Sequence, residues 1–346
     1  MNIFGKEIGP GRPVFVVAEI GVNHNGDIGL ARRLVDAAAE ARVDAVKFQT
    51  LDASGYISRY APKARYQLET TDREESQVDM VRKYELSKAQ HVELMAYCRS
   101  RELPFFSTAF EEGGVDLLDE LGVEVFKIPS GEITNIPLLE HVSAKGKPIL
   151  LSTGMSSLGE VERAVEIILG AGGHDLALLH CVSNYPAPFE DANLRAIRTM
   201  RDAFGLPVGY SDHTPGIEIA VAAVALGACI VEKHFTLDRR LPGPDHQASL
   251  EPEDLKAMVA AVRNVEKGLG DGVKRPMPSE MNTRDVARKS LVAARPIRAG
   301  AVLTEDMIAA KRPGTGISPA EMGYVIGRKI VRDIQEDELL SWEMIG

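Results

Sequence analysis

The sequence is short of cysteine and of long apolar runs, and each shortage argues against a class of protein. Its three cysteines, Cys98, Cys181 and Cys229, lie in apolar runs without CxxC spacing, which argues against a disulfide framework or a zinc ribbon. No apolar run approaches the roughly 20 residues of a membrane helix, and residues 1–13 lack the apolar core of a signal peptide. We therefore expect a cytoplasmic protein with reduced thiols and no membrane partner.

Basic residues are in deficit as well. The chain has 40 lysines and arginines against 50 aspartates and glutamates, which argues against a nucleic-acid-binding surface. An anionic ligand would therefore need lysines placed at its own site. The 346 residues are 45% hydrophobic, and this length and composition are typical of one large globular domain with a smaller one.

Short apolar runs alternate with segments of helical spacing eight times along residues 1–270. Each run is typical of a buried parallel strand, as in 14–21 (VFVVAEIG), and each following segment of a helix, as in 30–42. Eight such units predict a closed (β/α)8 TIM barrel, because an open doubly wound sheet usually has fewer strands. The other predicted strands are 44–50, 104–110, 125–131, 148–154, 176–182, 207–213 and 229–236.

Polar, chemically useful residues stand at the end of every predicted strand. The active site of a TIM barrel lies where the strands end, so together these residues predict a catalytic mouth. They are Glu19, Lys47, Gln49, Ser107, Thr108, Lys127, Ser130, Ser152, Thr153, Ser183, Asp212, His213, Lys233 and His234.

Two histidines, His213 and His234, lie at the polar ends of the last two predicted strands. Imidazoles from adjacent strand ends can share one divalent metal and leave coordination positions open for substrate and water, as a catalytic site requires. The alternative is a pair of hydrogen-bonded histidines at the rim of the barrel.

Two lysines, Lys47 and Lys127, end the second and fourth predicted strands. Such a lysine serves as a Schiff-base nucleophile, as an anion clamp or as half of a rim salt bridge. The hydroxyls that share the mouth favour the anion clamp, because ammonium and hydroxyl groups together suit phosphate and carboxylate oxygens. These hydroxyls belong to Thr108, Ser130, Ser152 and Ser183.

The domain boundaries follow from composition. Residues 1–270 are predicted to form the barrel domain, in which the charge-rich insertion 51–86 is either a flap over the mouth or a solvated excursion. Residues 271–285 lose periodicity and are rich in proline and charge, which predicts a linker before a small domain at 286–346.

The small domain contains an internal repeat. Residues 294–308 (ARPIRAGAVLTEDMI) align without gaps on residues 331–345 (VRDIQEDELLSWEMI). The repeat predicts two copies of strand, turn, strand and short helix in a pseudo-symmetric module. Between the copies, the loop 311–319 is punctuated by glycine and proline and presents Arg312.

Nine motifs in series, the last of them in the tail, resemble the sialic acid synthases. They are AEIGVNHNGD, KFQT, FFSTAF, KIPSGEITN, LSTGM, LHCVSNYPAP, GYSDHTPG, EKHFTLDRRLPGPDH and KRPGTG. Members of this family are phosphoenolpyruvate-dependent enzymes with a metal-containing (β/α)8 barrel and a C-terminal β-clip domain similar to type III antifreeze protein, the SAF domain. The resemblance covers nearly the whole chain and implies this fold and this activity.

The resemblance also implies roles for the residues at the mouth. His213 and His234 would hold a divalent metal, manganese or magnesium or cobalt in its place, which polarises the aldehyde of an N-acetylmannosamine-type sugar. Glu19 would orient or deprotonate the attacking water, and its alternative role is a salt bridge to Lys47. The carboxylate and phosphate of phosphoenolpyruvate would be bound by Lys47, Thr108, Lys127, Ser130, Ser152 and Ser183.

The same resemblance implies the remaining sugar contacts and a partner. Hydroxyl or acetamido groups of the sugar would bind Gln49, Glu132, Tyr185 and Asp245. Arg312 would reach the sugar pocket of a second subunit in a homodimer with swapped C-terminal domains, or else it is a surface charge. Ser183 stands where some members carry asparagine.

Several functions stay open at this point. The resemblance implies that the product is a nonulosonic acid, and the SGE and PGPD segments look more like those of neuraminate and legionaminate synthases than those of pseudaminate synthases. A Schiff-base aldolase would need one essential lysine and would release no phosphate. A non-catalytic carbohydrate- or ice-binding protein would have no need of two lysines and two histidines at one rim.

Overall fold

The computed structural model describes residues 1–173 and 175–346, which form two compact units. The first unit is Met1–Gly270 and the second is Asp271–Gly346. The segment predicted as a linker, 271–285, belongs to the second unit. No helix in the described ranges combines the length and the apolar character needed to cross a lipid bilayer.

The first unit is a closed barrel of eight parallel strands, which confirms the predicted barrel. The last barrel strand pairs with the first barrel strand, and this closure sets His234 opposite Glu19. The strands are β3 (Phe15–Gly21), β4 (Ala45–Thr50), β5 (Phe105–Ala109), β6 (Phe126–Ile128), β7 (Ile149–Ser152), β8 (Leu176–Cys181), β9 (Val208–Asp212) and β10 (Ile230–His234), and they follow the hairpin of β1 (Asn2–Ile3) and β2 (Lys6–Glu7).

Eight helices surround the barrel, one after each strand. Several start where a side chain caps the first turn: Asp27 accepts from the amides of Gly29 and Leu30, and Ser87 and Ser157 form capping boxes. The helices are α1 (Ile28–Glu40), α5 (Lys88–Ser100), α6 (Glu112–Glu120), α7 (Ile136–Ser143), α8 (Leu158–Gly170), α9 (Arg195–Phe204), α10 (Glu218–Ala225) and α11 (Pro252–Leu269).

The insertion between β4 and α5 contains three short helices. They are α2 (Ala53–Tyr56), α3 (Arg65–Thr70) and α4 (Gln77–Arg82). The buried ammonium of Lys63 donates to Thr71 Oγ1 (3.1 Å), to the carbonyl of Asp72 (2.6 Å) and to Glu75 Oε1 (3.1 Å). This one lysine therefore ties the loop between α3 and α4 to the chain before α3.

Apolar side chains fill the amino-terminal end of the barrel. Ile3 and Ile8 of the N-terminal segment pack there with inward-facing strand residues such as Phe15 and Phe106. The ring of Phe4 lies 6.4 Å from Phe15 and 6.2 Å from Phe106. Because this end is closed and apolar, the polar interior of the barrel lies at the carboxyl ends of the strands.

The second unit is built around its internal repeat. Its elements are α12 (Met281–Ala287), β11 (Ser290–Ala293), β12 (Ile308–Lys311) and α13 (Met322–Val325), with β11 and β12 antiparallel. Ile297 and Ile334, which are equivalent in the two copies, exchange two backbone hydrogen bonds of 2.9 Å each. Each copy ends in a 3₁₀ turn, Glu305–Met307 or Trp342–Met344. The two copies are therefore paired at equivalent positions, in agreement with the pseudo-symmetric module that the sequence repeat predicted.

Candidate active site

A cavity of about 430 Å³ opens at the carboxyl ends of the barrel strands. Twelve of the residues predicted for the site line it, so the sequence pattern brings one set of side chains to one place. They are Glu19, Lys47, Gln49, Thr108, Lys127, Ser130, Ser152, Ser183, Tyr185, His213, His234 and Asp245.

Four of the polar strand-end residues do not line the cavity. Successive side chains of a strand point to opposite faces, so Ser107, Thr153, Asp212 and Lys233 project away from it. Ser107 instead bonds Thr50 (2.8 Å), and the hydroxyl of Thr153 donates to the carbonyl of Leu179 (3.0 Å). The expectation that every strand-end polar residue faces the mouth is wrong for these four.

Lys47 lies at the centre of the cavity wall between two buried carboxylates. Its Nζ is 3.2 Å from Glu19 Oε2 and 3.2 Å from Glu232 Oε1, and it donates to Thr108 Oγ1 at 3.0 Å. Burial alone would lower the pKa of Lys47, but the two carboxylates outweigh it and raise the pKa above the ordinary value. Lys47 is therefore a cation, and this disfavours it as a Schiff-base nucleophile.

The two carboxylates beside Lys47 differ in their environments. Burial, with a contribution from the charge of Glu232, raises the pKa of Glu19 to about 7, and Lys47 and a hydrogen bond from Gln49 offset only part of the rise. Burial would also raise the pKa of Glu232, but Lys47, Lys127 and a hydrogen bond from Ser211 (2.9 Å) hold it at about 2. The salt bridge between Glu19 and Lys47, which was one of the two roles considered for Glu19, is present.

Lys127, on β6, sits among hydroxyl groups in the cavity wall. Its Nζ donates to Ser152 Oγ (2.7 Å) and to the carbonyl of Ile128 (3.2 Å). Burial lowers the pKa of Lys127 to about 8. The Lys127 ammonium and the neighbouring hydroxyls can together bind the oxygens of a phosphate or carboxylate.

Gly154 shapes the adjoining wall. Its amide donates to Ser130 Oγ at 2.9 Å. A Cβ at this position would lie 2.3 Å from Ser183 Oγ and 2.9 Å from Cys181 Sγ, so a side chain would displace the groups that surround it. The glycine leaves a concave patch of polar hydroxyl and thiol groups beside Lys127.

His213, directly after β9, and His234, at the end of β10, lie side by side in the cavity wall. Their ring centroids are 5.4 Å apart. Nδ1 of His213 lies 2.6 Å from the carbonyl of Val182, and a carbonyl only accepts, so Nδ1 carries the proton and Nε2 keeps its lone pair. Nδ1 of His234 has no hydrogen-bond partner among the described residues. Burial lowers the pKa of His213 to about 4 and that of His234 well below the ordinary value.

Two neutral imidazoles with available nitrogens fit a divalent metal ion. Asp245 Oδ2 is 3.7 Å from His234 Nδ1, which is too long for a hydrogen bond. No group of three His, Cys, Asp or Glu residues is arranged to hold a metal within residues 1–173 and 175–346. The protein therefore offers two nitrogen ligands, and substrate and water would supply the others.

The insertion 51–86 forms a wall of the cavity. Tyr66 of α3 packs on Tyr185 with ring centroids 5.1 Å apart, and Tyr185 packs on His213 at 4.2 Å. Of the two interpretations of the insertion, these contacts support a segment over the mouth. Its lining residues are Leu51, Tyr56, Ile57, Ala64, Tyr66, Gln67, Gln77, Met80, Val81 and Tyr84.

Two predicted substrate-binding residues do not line this cavity. Glu132 is half-buried after β6, and its Oε2 accepts from Asn135 Nδ2 (2.7 Å), which turns the carboxylate toward the start of α7. Arg312 belongs to the second unit, where it is exposed and its Nε donates to the carbonyl of Ala287 (3.0 Å).

Glu232 and Ser211 are site residues that were not predicted from the sequence. Both line the cavity, and they lie opposite each other on β10 and β9. Strand alternation could have found them, because Glu232 is two residues before His234 and Ser211 two residues before His213, on the same faces as the histidines.

A closed parallel barrel with buried ionic side chains at its carboxyl end defines a TIM-barrel enzyme. The chain matches the NeuB family over residues 34–274 and the SAF domain over residues 288–346. The chain therefore belongs to the NeuB family, the acid synthases of the sialic acid type.

Named relatives and a solved structure agree with this membership. The chain is 48% identical to an N,N'-diacetyllegionaminic acid synthase of Campylobacter jejuni, over 95% of this chain and 99% of the relative. It is 44% identical to the enzyme of the same name from Legionella pneumophila, over 98% and 97%. The crystal structure of the N-acetylneuraminic acid synthetase of Leptospira borgpetersenii in complex with citrate is 39% identical, with a TM-score of 0.72 over 82% of this chain and 94% of that one.

The pKa of Lys127 leads to a prediction about anion binding. Lys127 is a cation below about pH 8 and neutral above it, so sulfate affinity should fall about tenfold between roughly pH 7 and pH 9. Sulfate keeps its charge over this range, and calorimetric titration measures the affinity. In Lys127→Arg the guanidinium stays charged, so only the smaller decline caused by ionisation of Glu19, whose pKa is about 7, should remain. An equal decline in that variant would show that another group titrates.

Proposed function

We propose that the protein condenses phosphoenolpyruvate with an open-chain N-acetylmannosamine-type sugar and water, and releases a nonulosonic acid and phosphate. One observation carries the proposal: a single cavity has a side with the cationic, anion-binding Lys47 and Lys127 and a side with the two neutral imidazoles of His213 and His234. The first side suits an anionic phospho-compound and the second suits an electrophilic aldehyde activated by a metal.

Phosphoenolpyruvate would bind on the lysine side. Lys127 and the hydroxyl of Ser152 are already joined at 2.7 Å, and Lys47 and Thr108 at 3.0 Å. These pairs are rigid donors for the phosphate and carboxylate oxygens, because buried side chains do not have to be ordered on binding. Ser130 and Ser183 beside Gly154 would complete the donor set.

The sugar would bind on the imidazole side. His213 and His234 would hold a divalent ion, manganese or magnesium or cobalt in its place, and that ion would polarise the aldehyde oxygen. Tyr185 packs against both imidazoles, at 4.2 Å and 5.5 Å between centroids, and would place the sugar chain against them. Gln49 and Asp245 would bind sugar hydroxyl or acetamido groups.

Bond formation then follows from this placement. Carbon 3 of the enol attacks the aldehyde carbon, the carbonyl pair moves to the aldehyde oxygen as the carbon–carbon bond forms, and positive charge develops at carbon 2. Water adds to carbon 2 and gives one proton to the Glu19 carboxylate, which passes it to the former aldehyde oxygen. The carbon–oxygen bond to phosphate then breaks, phosphate leaves with the electron pair and takes the second water proton, and a 2-keto acid remains. Glu232 and Glu19 face the developing positive charge and stabilise it.

We further propose that the preferred sugar is the 6-deoxy diacetamido sugar, which gives a legionaminic acid. The wall from the insertion is apolar at Ile57, Met80 and Val81. It would accept the C6 methyl and the second acetamido methyl, whereas N-acetylmannosamine would place unpaired hydroxyls there. The two relatives named N,N'-diacetyllegionaminic acid synthases support the same choice, and N-acetylmannosamine remains the alternative substrate.

Phosphate release tests the proposed reaction. With phosphoenolpyruvate and manganese, 2,4-diacetamido-2,4,6-trideoxymannose should release phosphate faster than N-acetylmannosamine, and EDTA should abolish release. The mass of the product checks that one sugar and one three-carbon unit have joined. Release that survives EDTA would contradict the metal, and trapping by borohydride with pyruvate, without phosphate release, would establish an aldolase instead.

Tyr66 tests the role of the insertion in sugar binding. Removal of its ring in Tyr66→Ala should raise KM for the sugar about tenfold, because the ring packs on Tyr185 at the cavity wall. KM for phosphoenolpyruvate should change little. The matched control is Tyr60→Ala, since Tyr60 is in the same insertion but is 77% exposed. Equal changes in both KM values would mean that the wall serves the whole cavity and does not select the sugar.

We propose a homodimer in which Arg312 of one subunit enters the sugar pocket of the other. Arg312→Ala should then raise KM for the sugar by roughly tenfold or more, through loss of a charged hydrogen bond. Thermal unfolding of the barrel should be unchanged. Arg298→Ala is the control, since Arg298 is exposed in the same unit and pairs with Asp333. Normal kinetics of Arg312→Ala, or a monomer in light scattering, would contradict the proposal.

A further inference from the structure

A fully buried ion pair joins strands β9 and β10 on the face that points away from the cavity. Nζ of Lys233 is 2.7 Å from Oδ2 of Asp212, and both side chains are 0% exposed. Neither residue lines the cavity. The proposed reaction uses neither charge, so another reason is needed for burying both of them.

Both members of the ion pair also bond Thr214, the residue after His213. Oδ1 of Asp212 accepts hydrogen bonds from the amide (2.9 Å) and the hydroxyl (2.8 Å) of Thr214. The ammonium of Lys233 also donates to the carbonyl of Thr214. Asp212 and Thr214 are the two neighbours of His213 in the chain, so the imidazole is carried by a turn that is fixed on both sides.

The same ion pair adjoins the second imidazole along the chain. Lys233 precedes His234 in the chain and lies directly opposite Asp212 in the strand register. One residue earlier on the cavity face, Glu232 lies opposite Ser211. The ion pair is thus the last paired position of β9 and β10. The next residue of each chain segment is a histidine that lines the cavity, His213 or His234.

Stability alone does not account for this arrangement. Removing two charges from water costs several kcal/mol per ion, and apolar residues of similar volume often replace a buried ion pair without loss of stability. What apolar residues cannot supply is the set of directed bonds to both sides of His213. Directed bonds of this kind hold metal-binding side chains in position.

We propose that Asp212, Thr214 and Lys233 are positioning residues that set the two imidazoles at the separation and orientation needed by one divalent cation. This inference rests on the proposed function, because it takes His213 and His234 as the cation ligands. The three residues act through the histidines and do not touch the cation or the substrates.

Manganese binding to the chelator-treated, full-length protein tests the inference. The signal of free manganese in electron paramagnetic resonance gives the dissociation constant without any turnover. In Asp212→Asn with Lys233→Met, which removes both charges and keeps side-chain volume, the dissociation constant should rise about tenfold or more. Saturating manganese should restore most of kcat. The control pair is Asp44→Asn with Arg263→Met, which removes an ion pair of 2.6 Å at the other end of the barrel and should leave the dissociation constant unchanged.

The outcomes separate the two claims. If wild type binds manganese and the folded double variant binds it within about twofold of wild type, the ion pair is structural and the inference is overturned. If wild type binds none, or if His234→Ala does not reduce binding, the proposed metal site itself fails. Should the double variant not fold, Thr214→Val removes only one hydroxyl bond and should still weaken manganese binding about threefold; an unchanged constant in that variant overturns the inference.

Discussion

The interaction on which the structure depends is the one between Lys47 and its two carboxylates. Glu19 is on β3, Lys47 on β4 and Glu232 on β10, and these three strands are neighbours where the barrel closes. All three side chains are buried. An unpaired charge in this interior would cost several kcal/mol, so the closed barrel and the charged site require each other.

This cluster divides the cavity into chemically distinct sides. On β6 and β7, Lys127 and Ser152 present donors for an anion, and on β9 and β10 the imidazoles are kept neutral by burial. The same physical cause, removal from water, therefore lowers the pKa of Lys127 and of the two histidines. The pKa of Lys47 is raised instead, because two carboxylates lie beside it. The proposed condensation needs such a contrast between a cationic donor pocket and neutral ligands.

Much of the fold could be predicted because the barrel signal is repeated. Eight apolar runs with polar ends specify parallel strands, and the side chains at those ends converge for purely geometric reasons, which is why Lys127, Ser152 and His213 share one cavity. The position of a residue at the end of a strand was not enough to place it, because the alternation of side chains decides which residues point into the barrel. Position alone placed Asp212 and Lys233 at the mouth and overlooked Glu232.

The sequence allowed two interpretations of the insertion, a flap over the mouth or a solvated excursion, and could not decide between them. The arrangement of residues 51–86 depends on particular contacts, such as the three hydrogen bonds of Lys63 and the packing of Tyr66 on Tyr185. The direction of Glu132 depends likewise on one bond to Asn135. Contacts of this kind are set by tertiary structure, whereas strand ends are set by local pattern.

The fate of the oxygen that bridges carbon 2 and phosphorus in phosphoenolpyruvate tests the account most directly. Phosphoenolpyruvate would carry a heavy oxygen isotope at that atom, and the released phosphate would be weighed after turnover with manganese and the preferred sugar. Attack of water at carbon 2 and cleavage of the carbon–oxygen bond predict that the phosphate carries the label. Unlabelled phosphate would mean that water attacks phosphorus, and it would contradict the roles assigned here to Glu19 and to the charged cluster.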